Sequence, residues 1–482
     1  MREDILQTKL DKLNNIRAFG MEPYPEKTRR DMTNGEVLEA FTALGEREIT
    51  LVGRVRSFRP MGGSTFAHIE DGTGKIQVFL NKNNIPEDKY RLFAKNVELG
   101  DFVQVTGKPF LTKQEEKTVE VHDWTMLSKN MRPIPTEHFG IKDEEELLRK
   151  RYLDLMLNPE TRELFRKKNL FWQTIRKSLV DEGFLEVQMP VFEHATGGAD
   201  AAPFITHHNA LDQDFFLRIS LELPLKRMLV GGYEKVFEIG RVFRNEGIDR
   251  DHLQEFDHME FYWAYSDMSK GMQFAQKMFK DIALNVLGGY VQEHQGEKID
   301  WSADFPIVDY FTEFEKETGI NLSHEVSVEE LKKKADELHI KYEPSYGKGR
   351  MIDTLYKKTV RQRLIQPCFL VGQPLEISPL AKTDPADPMK VLRFQIVAGK
   401  SELCNAFGEL NDPIDQRARF EAQMAMREAG DDEAQMIDED FVEALEIGMP
   451  PAFGFGMSER LFAFLMDRSI RETVIFAGVK SK

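Results

Sequence analysis

The sequence lacks the features that would place it in several common classes of protein. It has only two cysteines, Cys368 and Cys404, among 482 residues, which gives neither a disulfide framework nor the spacing of a zinc site. It contains no run of about 18 apolar residues, so we expect no membrane-spanning helix. Its first residues, Met-Arg-Glu-Asp-Ile-Leu-Gln, are charged and include no apolar signal core. Together these absences predict a cytoplasmic protein.

The common signatures of nucleotide binding and nucleophilic catalysis are also missing. The sequence has no Gly-x-x-x-x-Gly-Lys-Ser/Thr loop, and no Gly-x-Gly-x-x-Gly follows a predicted strand. It has no nucleophile elbow around a serine or cysteine. The histidines that stand among other polar residues do not have the spacing of metal ligands; they are His207, His208, His252 and His258.

Length and charge indicate several domains with different properties. A chain of 482 residues exceeds what one hydrophobic core supports, so two or three domains are expected. Residues 1–138 carry 21 basic and 21 acidic side chains, so the net charge of −16 lies wholly in the remainder. An acidic body argues against unspecific binding of nucleic acid, but the neutral part is compatible with a local nucleic-acid site.

Short alternating segments predict a small β-barrel near the N-terminus, after a helix over residues 1–18. Glycine-containing turns separate five strands, and this pattern favours a Greek-key barrel such as the OB-fold. Another small barrel or half-sandwich without a ligand is the alternative. The strands are predicted at residues 49–58, 65–70, 75–80, 102–109 and 118–127.

The remainder predicts a mixed α/β body that follows a hinge. Residues 129–142 lack periodicity and include Arg-Pro-Ile-Pro, which is typical of a connection between domains. Helices are predicted at 143–157 and 159–182, and a strand at 184–189. The predicted organisation is a helical extension over 1–48, a barrel over 49–128, a hinge over 129–142, and a body over 143–482 with a helical insert near 267–345.

Residues 236–264 predict an antiparallel strand pair with one apolar and one polar face. On the first strand Phe237 and Ile239 share a face, and Glu238 and Arg244 share the other. An isolated ribbon of this kind is most often a solvated surface with weak ion pairs. A functional interpretation therefore needs support from other segments.

Three stretches, in this order, resemble the signature motifs of class II aminoacyl-tRNA synthetases. Residues 183–190 are similar to motif 1, Phe243-Arg244-Asn245-Glu246 to motif 2, and the glycine-rich residues 454–461 to motif 3. The resemblance implies an α+β fold, in which a five-stranded OB-type barrel precedes a catalytic domain made of an antiparallel sheet flanked by helices. It also implies a homodimer, because motif 1 forms the dimer interface in that class.

Within the class, the match narrows to the lysyl-tRNA synthetase family of the bacterial type. The resemblance covers nearly the whole chain, and the insert around 290–345 matches least. It implies that the enzyme activates L-lysine with ATP to lysyl-adenylate and pyrophosphate, and then transfers lysine to the 3′-terminal adenosine of tRNA(Lys). Up to three Mg²⁺ ions per active site are implied as well. The matching segments are 151–155, 203–212, 244–249, 364–367, 376–381 and 408–412.

The resemblance also implies a set of lysine-binding residues. Acidic groups are needed there, since a desolvated ammonium group without a partner is costly. Glu260 and Glu409 are expected to face the ε-ammonium group, and Glu222 the α-ammonium group. The full set is Gly198, Glu222, Glu260, Tyr262, Asn405, Phe407 and Glu409.

For ATP, the resemblance assigns Arg244 to the α-phosphate and the lysine carboxylate. Glu246 is expected near the adenine and His252 near the outer phosphates. Phe256 and Arg460 would lie on opposite faces of the adenine. The predicted ATP-binding residues are Arg244, Glu246, His252, Phe256, Glu402 and Arg460, and the predicted catalytic residues are Arg244, Glu402 and Arg460.

Three departures from the family pattern concern the metal and the loops. Glu402 matches one magnesium ligand of the family, but the second acidic ligand falls on Gln395, so the predicted metal residues are Glu402 and Gln395. Residues 252–256 read His-Leu-Gln-Glu-Phe where the family usually has Asn-Pro after the histidine. The motif 3 region is one residue shorter than the common form.

In the barrel, the resemblance implies three anticodon-binding residues, Phe66, Gln77 and Glu116. An aromatic ring stacks on an unpaired base, and an amide reads the Watson–Crick edge of a base. Taken alone, Phe66 is more typical of a barrel core. Its spacing from Gln77 favours a role in binding.

Three alternative functions stay open at this point. An aspartate or asparagine enzyme of the same class would need basic groups where Glu260 and Glu409 stand. A protein-lysylating ligase of the elongation factor P type resembles the catalytic body but lacks the barrel predicted over 49–127. A non-catalytic tRNA-binding module is disfavoured by the retained catalytic residues, although Gln395 is compatible with it.

Overall fold

The structure is a computed structural model that describes residues 2–134, 143–247, 249–428 and 434–479. The chain divides into two compact units, Met1–Ile141 and Lys142–Lys482. Part of the predicted hinge, residues 135–142, lies outside the described residues. No helix among the described residues is long and apolar enough to cross a membrane.

The described residues of the first unit, 2–134, form a closed five-stranded barrel with three helices, which confirms the predicted OB-type fold. The strands are joined in the order β1-β2-β3-β5-β4, and β4 pairs with β1 to close the barrel. The pair β3 and β5 is parallel. The helices are α1 (Arg2–Ala18), α2 (Asn34–Leu44) and α3 (Glu87–Asn96), and the strands are β1 (Ile49–Met61), β2 (Ser64–Glu70), β3 (Lys75–Asn81), β4 (Phe102–Leu111) and β5 (Lys117–Ser128).

Alternation along these strands separates the barrel core from the outer surface. On β2, Ala67 and Ile69 are completely buried, while Phe66 and His68, which alternate with them, are partly exposed. Each large aliphatic side chain that is buried in this way contributes about 1.5–3 kcal/mol. Phe66 is therefore not part of the barrel core, although its residue type alone suggested that position.

The second unit holds the remaining elements. Its helices are α4 (Glu144–Arg149), α5 (Arg151–Leu157), α6 (Pro159–Asp181), α7 (Glu222–Val230), α8 (Met268–Leu287), α9 (Tyr310–Thr318), α10 (Val328–Glu337), α11 (Lys348–Lys358), α12 (Pro413–Glu428), α13 (Glu439–Ile447) and α14 (Arg460–Leu465). Its strands are β6 (Leu185–Glu186), β7 (Phe192–Glu193), β8 (Ile205–His208), β9 (Gln213–Leu217), β10 (Lys235–Phe243), β11 (Glu255–Ala264), β12 (Val291–His294), β13 (Glu297–Asp300), β14 (Ile307–Asp309), β15 (Cys368–Val371), β16 (Thr383–Asp384), β17 (Asp387–Val391), β18 (Arg393–Ala398), β19 (Ser401–Glu402), β20 (Asn405–Gly408) and β21 (Ala452–Ser458).

The centre of this unit is a nine-stranded sheet in the order β14-β15-β18-β20-β21-β11-β10-β6, with β19 paired to β18. Most neighbours are antiparallel, and the parallel pairs β14–β15 and β10–β6 lie at its two edges. The predicted ribbon is the pair β10–β11, in which Phe237 lies opposite Phe261. The sheet brings β11, β20 and β21 side by side, although β21 is nearly 200 residues from β11 in sequence.

Both faces of the β10–β11 pair are packed, and this corrects the view of an open polar face. Phe237 and Phe261 belong to one hydrophobic cluster, with α6 and α8. Val236 and Tyr262 on the other face belong to a second cluster, with α7 and α13. Even Glu238 is buried, where it pairs with Arg218 at 2.8 Å. The polar groups of this face therefore lie inside the protein, where unpaired charges are costly.

The insert differs from its predicted bounds of 267–345. Helix α8 carries Met278 and Phe279 into the main cluster, so its residues belong to the body of the unit. A separate cluster joins α9, α10 and α11 and includes Phe314 and Leu355. The separately packed part therefore starts after α8 and continues beyond residue 345.

Candidate functional site

Two adjoining cavities lie against β11, β20 and β21. The acidic cavity contains the carboxylates of Glu222 and Glu260 in its wall, and the arginine cavity contains the guanidinium groups of Arg244 and Arg460. Four residues line both cavities: Arg244, His258, Asn405 and Gly456. The two cavities therefore form one continuous site with a shared boundary.

The predicted residues divide between these cavities as the resemblance implies, with two exceptions. All six predicted ATP-binding residues line the arginine cavity: Arg244, Glu246, His252, Phe256, Glu402 and Arg460. Six of the seven predicted lysine-binding residues line the acidic cavity: Gly198, Glu222, Glu260, Tyr262, Asn405 and Phe407. Glu409 and Gln395 are buried but line neither cavity.

Glu260 is held in place by donors around its carboxylate. Ser220 Oγ and the Leu221 N–H donate to Oε1 at 2.7 and 2.9 Å, and the Tyr262 hydroxyl donates to Oε2 at 2.9 Å. The His258 Nε2 atom lies 3.3 Å from Oε1. Burial alone would raise the pKa of Glu260, but the His258 ring and the neighbouring donors outweigh it and hold that pKa below its ordinary value. Glu260 therefore presents a fixed negative charge to the cavity.

Glu222 and Glu409 share one cation, the completely buried Lys226. Lys226 lies one turn after Glu222 on α7 and donates to its Oε1 atom at 2.5 Å, and it also pairs with Oε2 of Glu409. Burial raises the pKa of Glu409 to about 8 against the opposing effect of Lys226, and Glu222 adds to the increase. Oε1 of Glu409 has no hydrogen-bond partner among the described residues. That oxygen is the unsatisfied acceptor of the network.

Two glycines allow the backbone to approach these carboxylates. At Gly454 a Cβ atom would overlap Oε1 of Glu409 and would lie 2.5 Å from Cε1 of Tyr262. Gly198 has a φ of +83°, and a Cβ atom there would lie 2.6 Å from Ser220 Oγ. Both positions therefore require glycine for reasons of space, and Gly198 also for its backbone conformation.

Asn405 and Phe407 are positioned by the partly buried side chain of Arg393. The Nη2 atom of Arg393 donates to Asn405 Oδ1 at 2.7 Å, and its guanidinium carbon lies 5.4 Å from the centre of the Phe407 ring. Burial lowers the pKa of Arg393, and Glu402 partly offsets that effect. Because guanidinium groups stay charged, Arg393 is a fixed cation in the wall of the acidic cavity.

Arg244 lies at the boundary of the cavities, just after β10. Its guanidinium carbon lies 5.2 Å from the centre of the Phe256 ring, and its Nε atom donates to the Ile219 carbonyl at 3.3 Å. Burial lowers the pKa of Arg244, which Glu246 and Glu260 partly counteract. Most of its donors remain available to an anionic ligand that enters either cavity.

The loop after β10 orders itself through local contacts. The His252 Nδ1 atom lies 2.7 Å from Oδ2 of Asp249, and the Gln254 side chain donates to the Glu246 carbonyl at 3.2 Å. His252 is exposed but borders the arginine cavity. The unusual Leu253 is buried, so it takes a packing role at the position where the family usually has Asn-Pro.

The two predicted magnesium ligands contact each other directly. The Gln395 amide donates from Nε2 to Oε2 of Glu402 at 3.0 Å, and Arg361 Nη1 donates to Oε1 at 3.2 Å. Burial would raise the pKa of Glu402, but Arg361 and other nearby cations outweigh it and lower that pKa. Magnesium requires oxygen ligands, and among the described residues no group of three or more histidine, cysteine or acidic side chains is arranged to hold a metal. This donor set fits a carboxylate contact to a phosphate-bound ion, but not three ions held by protein ligands.

The predicted anticodon-binding residues lie together on the outer surface of the barrel. Gln77 donates to Oε2 of Glu116 at 2.7 Å, and the Phe66 ring packs against Phe79 with 4.6 Å between the ring centres. His68 lies opposite Gln77 and contacts Oε1 of Glu116 at 2.9 Å. Phe66 and His68 are two residues apart on β2, so their side chains share this face.

Several residues of the site were not predicted from the sequence. Only some of them have a local pattern in the sequence that points to the site. Lys226 follows Glu222 by four residues on a predicted helix, and His258 precedes Glu260 by two residues on a strand, so each shares a face with a predicted residue. Arg393 and Arg361 have no comparable local signal, because their partners lie 12 and 41 residues away. The residues missed are Ser220, Lys226, His258, Arg361 and Arg393, with His68 in the barrel.

Comparison with known proteins places the chain among the synthetases. Residues 143–480 match the family of tRNA synthetases class II (D, K and N), and residues 49–127 match the OB-fold nucleic acid binding domain. A lysine–tRNA ligase of Bacillus subtilis is 41% identical over 99% of this chain and 98% of its own length. The lysine–tRNA ligase of Moorella thermoacetica is 42% identical over 99% of this chain and 98% of its own length. The lysine–tRNA ligase of Lactiplantibacillus plantarum is 42% identical over 99% of this chain and 97% of its own length. The chain therefore belongs to the lysine–tRNA ligases of the class II tRNA synthetase family.

Proposed function

We propose that this chain activates L-lysine with ATP to lysyl-adenylate, releases pyrophosphate, and transfers the lysyl group to the 3′-terminal adenosine of tRNA(Lys). The single observation that carries the proposal is the position of Arg244. It borders one cavity with two carboxylates in its wall and another that contains a second arginine and an aromatic ring. One guanidinium group can therefore contact a carboxylate and a phosphate at the same time.

In this proposal, the acidic cavity binds lysine. Glu260 is ionised and fixed by its donors, and it faces the ε-ammonium group together with Tyr262. Oε1 of Glu409, which has no partner among the described residues, is the further acceptor near Tyr262. Glu222 and Gly198 lie beside each other, and they receive the α-ammonium group. An aspartate or asparagine substrate would bring its own negative or neutral group to these acids, which makes it a poor match.

The arginine cavity binds ATP. Phe256 offers an apolar face to the adenine, and Arg460 lies across the same cavity. His252 and Glu246, in the loop after β10, also line this cavity. This arrangement orients the triphosphate so that its α-phosphorus lies next to Arg244, where the lysine carboxylate also binds.

The first step needs no general base, because the lysine carboxylate is already a nucleophile. One carboxylate oxygen attacks the α-phosphorus, and the bond from that phosphorus to the oxygen of the β-phosphate breaks. Arg244 and Arg460 stabilise the negative charge on the phosphoryl oxygens during the transfer. In the second step, the terminal ribose hydroxyl attacks the carbonyl carbon of lysyl-adenylate, and AMP leaves.

Class II synthetases use Mg²⁺ with ATP. We propose that the ion enters this site as part of the MgATP substrate, and that Glu402 is the protein group nearest to it. A bound Mg²⁺ ion neutralises phosphate charge and makes pyrophosphate a better leaving group. The number of ions, up to three from the resemblance, stays a prediction, and so does the cytoplasmic location.

The barrel is proposed to bind the tRNA anticodon through Phe66, Gln77 and Glu116. The exposed part of the Phe66 ring can stack on an unpaired base. Gln77 and Glu116 already form a hydrogen-bonded pair, so a base that binds there exchanges one polar contact for another. This proposal agrees with the match of residues 49–127 to a nucleic acid binding domain.

A homodimer is proposed from exposed apolar side chains around the predicted motif 1. Single exposed apolar residues are normal on protein surfaces, but a concentration in one region of the chain indicates an interface. An isologous contact would cover this region in both protomers. The side chains concerned, each at least 46% exposed, are Val180, Leu185, Phe192, Ile205 and Leu211.

The experiment that tests the proposal is amino-acid-dependent exchange of pyrophosphate into ATP, measured across the standard amino acids, followed by charging of tRNA(Lys). We expect exchange with lysine alone and charging of tRNA(Lys). Exchange with aspartate or asparagine but not with lysine would overturn the proposed specificity for lysine. A folded protein without exchange for any amino acid would favour a non-catalytic tRNA-binding protein.

A further inference from the structure

Both oxygens of the Glu402 carboxylate already accept hydrogen bonds from groups of the protein. Arg361 donates to Oε1 at 3.2 Å and Gln395 donates to Oε2 at 3.0 Å. Side chains of Arg361 and Glu402 are about equally buried, with 21% and 20% exposed. An ion pair at this depth is screened less than a surface pair and is correspondingly persistent.

The amide of Gln395 supports the same conclusion. It lies on β18, is 4% exposed, and turns its N–H₂ group towards Glu402. An amide in this orientation presents hydrogen atoms, not oxygen, to any cation that approaches the same carboxylate. Hard cations take oxygen ligands only. Gln395 therefore stabilises the Arg361–Glu402 pair and does not complete a metal site.

The location of Arg361 is set by secondary structure. It lies in the short 3₁₀ turn Val360–Arg363 that follows α11, and this turn belongs to the separately packed part of the unit. Its Nε atom is buried and has no hydrogen-bond partner among the described residues. Lys357, one turn earlier, is compensated by Asp353 at 2.7 Å, so Arg361 is the cation that pairs with Glu402.

We propose that Arg361 is a positioning residue that takes the place of a metal ion at Glu402, so that the site operates with the single Mg²⁺ ion that ATP brings with it. The guanidinium group supplies a permanent positive charge behind the carboxylate that borders the outer phosphates. A second or third cation would enter a site whose negative charge is already compensated. This inference rests on the proposed function, because it assumes that ATP occupies the arginine cavity.

The test counts metal ions directly, with Mn²⁺ as the probe. The full chain is saturated with lysine and a non-hydrolysable ATP analogue, and bound Mn²⁺ is measured by electron paramagnetic resonance. We expect one Mn²⁺ ion per active site in the unmodified protein. In the double variant Arg361→Ala, Gln395→Glu, which restores two free carboxylates, we expect at least one more.

The matched control is Arg363→Ala. Arg363 lies in the same 3₁₀ turn but pairs with Glu317 at 2.8 Å, away from Glu402. We expect its Mn²⁺ count to equal that of the unmodified protein. Arg361→Ala alone should weaken binding of the analogue by about tenfold at limiting Mn²⁺, and its binding should recover at high Mn²⁺. Arg363→Ala should bind the analogue as the unmodified protein does at both Mn²⁺ concentrations.

Three results would contradict the proposed role of Arg361. Two or three Mn²⁺ ions per site in the unmodified protein, with the analogue bound, would overturn the inference alone. An unchanged count in a folded double variant that binds the analogue would also overturn it. A folded protein that binds no ATP analogue at any Mn²⁺ concentration would overturn the proposed function together with the inference.

Discussion

Lys226 donates a hydrogen bond to Glu222 at 2.5 Å from a position that is completely closed to solvent. The same ammonium group pairs with Glu409, so the proposed lysine site already contains one lysine of the protein. Three buried carboxylates without a cation would repel one another and take up protons. Lys226 therefore reduces the cost of ionising Glu222 and Glu409 in this buried position.

The variant Lys226→Met tests this role. Removing one partner of a buried pair costs about 3–5 kcal/mol, and loss of the ammonium charge should raise the pKa of Glu222 and of Glu409 further. We expect the KM for lysine to rise at least tenfold, with little change in the KM for ATP, as measured by pyrophosphate exchange. Lys226→Met combined with Glu409→Gln should recover stability but not lysine affinity. Equal loss of lysine and ATP affinity in a folded variant would mean that Lys226 only stabilises the fold.

Binding of lysine is expected to release protons near neutral pH. The pKa of Glu409 is raised to about 8 by its burial, so in the free protein it holds a proton at pH 7. A bound ammonium group favours the ionised carboxylate, and lysine affinity should therefore rise with pH towards 8, by up to about tenfold per unit. Calorimetry in buffers of different ionisation enthalpy measures the released protons.

The raised pKa of Glu409 also makes the free energy of unfolding depend on pH, and this dependence provides a control for the binding experiment. A carboxyl group whose pKa is higher in the folded state contributes stability below its ordinary pKa of 4.5, and this contribution is lost as the pH rises through about 8. Glu409→Gln removes this titration. Its free energy of unfolding should depend less on pH than that of the unmodified protein between 4.5 and 8. Identical pH dependence in the two proteins would contradict the assignment.

Substitution of Gly454 should disable the lysine site. A methyl group at this position would overlap Glu409 and the Tyr262 ring, and neither side chain has room to move in a close-packed interior. We expect Gly454→Ala to reduce kcat/KM for lysine by more than about 100-fold, which corresponds to about 2.7 kcal/mol. Gly289→Ala is the control, since a Cβ atom there meets nothing within 4 Å. Normal lysine kinetics in Gly454→Ala would show that Glu409 does not serve the substrate.

The barrel residues should affect tRNA without affecting the first step. Loss of base stacking costs about 1–3 kcal/mol per base, so Phe66→Ala should raise the KM for tRNA(Lys) by roughly 5- to 150-fold. Gln77→Ala should act in the same direction. Pyrophosphate exchange with lysine should be unchanged in both, because it does not require tRNA. A matched control is Phe110→Ala, whose ring contacts Phe79 and not Phe66 directly.

The proposed dimer interface is open to a direct test. Ile205 and Phe192 are 64% and 56% exposed, and a charged group at either position would be desolvated in an isologous contact, twice per dimer. We expect Ile205→Asp to convert a dimer into a monomer by light scattering after gel filtration. Ile307→Asp, at a similarly exposed residue on β14, an edge strand of the main sheet, should leave the dimer intact. A monomeric unmodified protein would contradict the proposal.

The sequence predicted the fold well wherever a local pattern determines structure. The five barrel strands have period-2 alternation, and their predicted and observed bounds differ by only a few residues. The strand predicted at 184–189 is reduced to Leu185–Glu186, because only these residues pair with β10. The proline at position 190 follows, and the chain then turns towards β7.

The predicted site came from motif resemblance, and the residues that it missed depend on long-range contacts. Lys226 pairs with Glu409, which lies 183 residues further along the chain. Arg361, in the separately packed part of the unit, contacts Glu402, which lies 41 residues further along the chain. No periodicity or spacing reveals such pairs, since they exist only after the sheet has formed. A motif likewise does not show that Glu409 and Gln395 line neither cavity, because the position of a buried side chain relative to a cavity depends on the folded sheet.

In the proposed function, the shared boundary at Arg244 links the binding of lysine and of ATP thermodynamically. A single guanidinium group is desolvated by whichever ligand arrives first, and the second ligand then meets a group that is already dehydrated and oriented. Any factor by which lysine changes the affinity for ATP must therefore equal the factor by which ATP changes the affinity for lysine. Substrate binding at this site is thus a cooperative, reciprocal equilibrium that depends on one side chain.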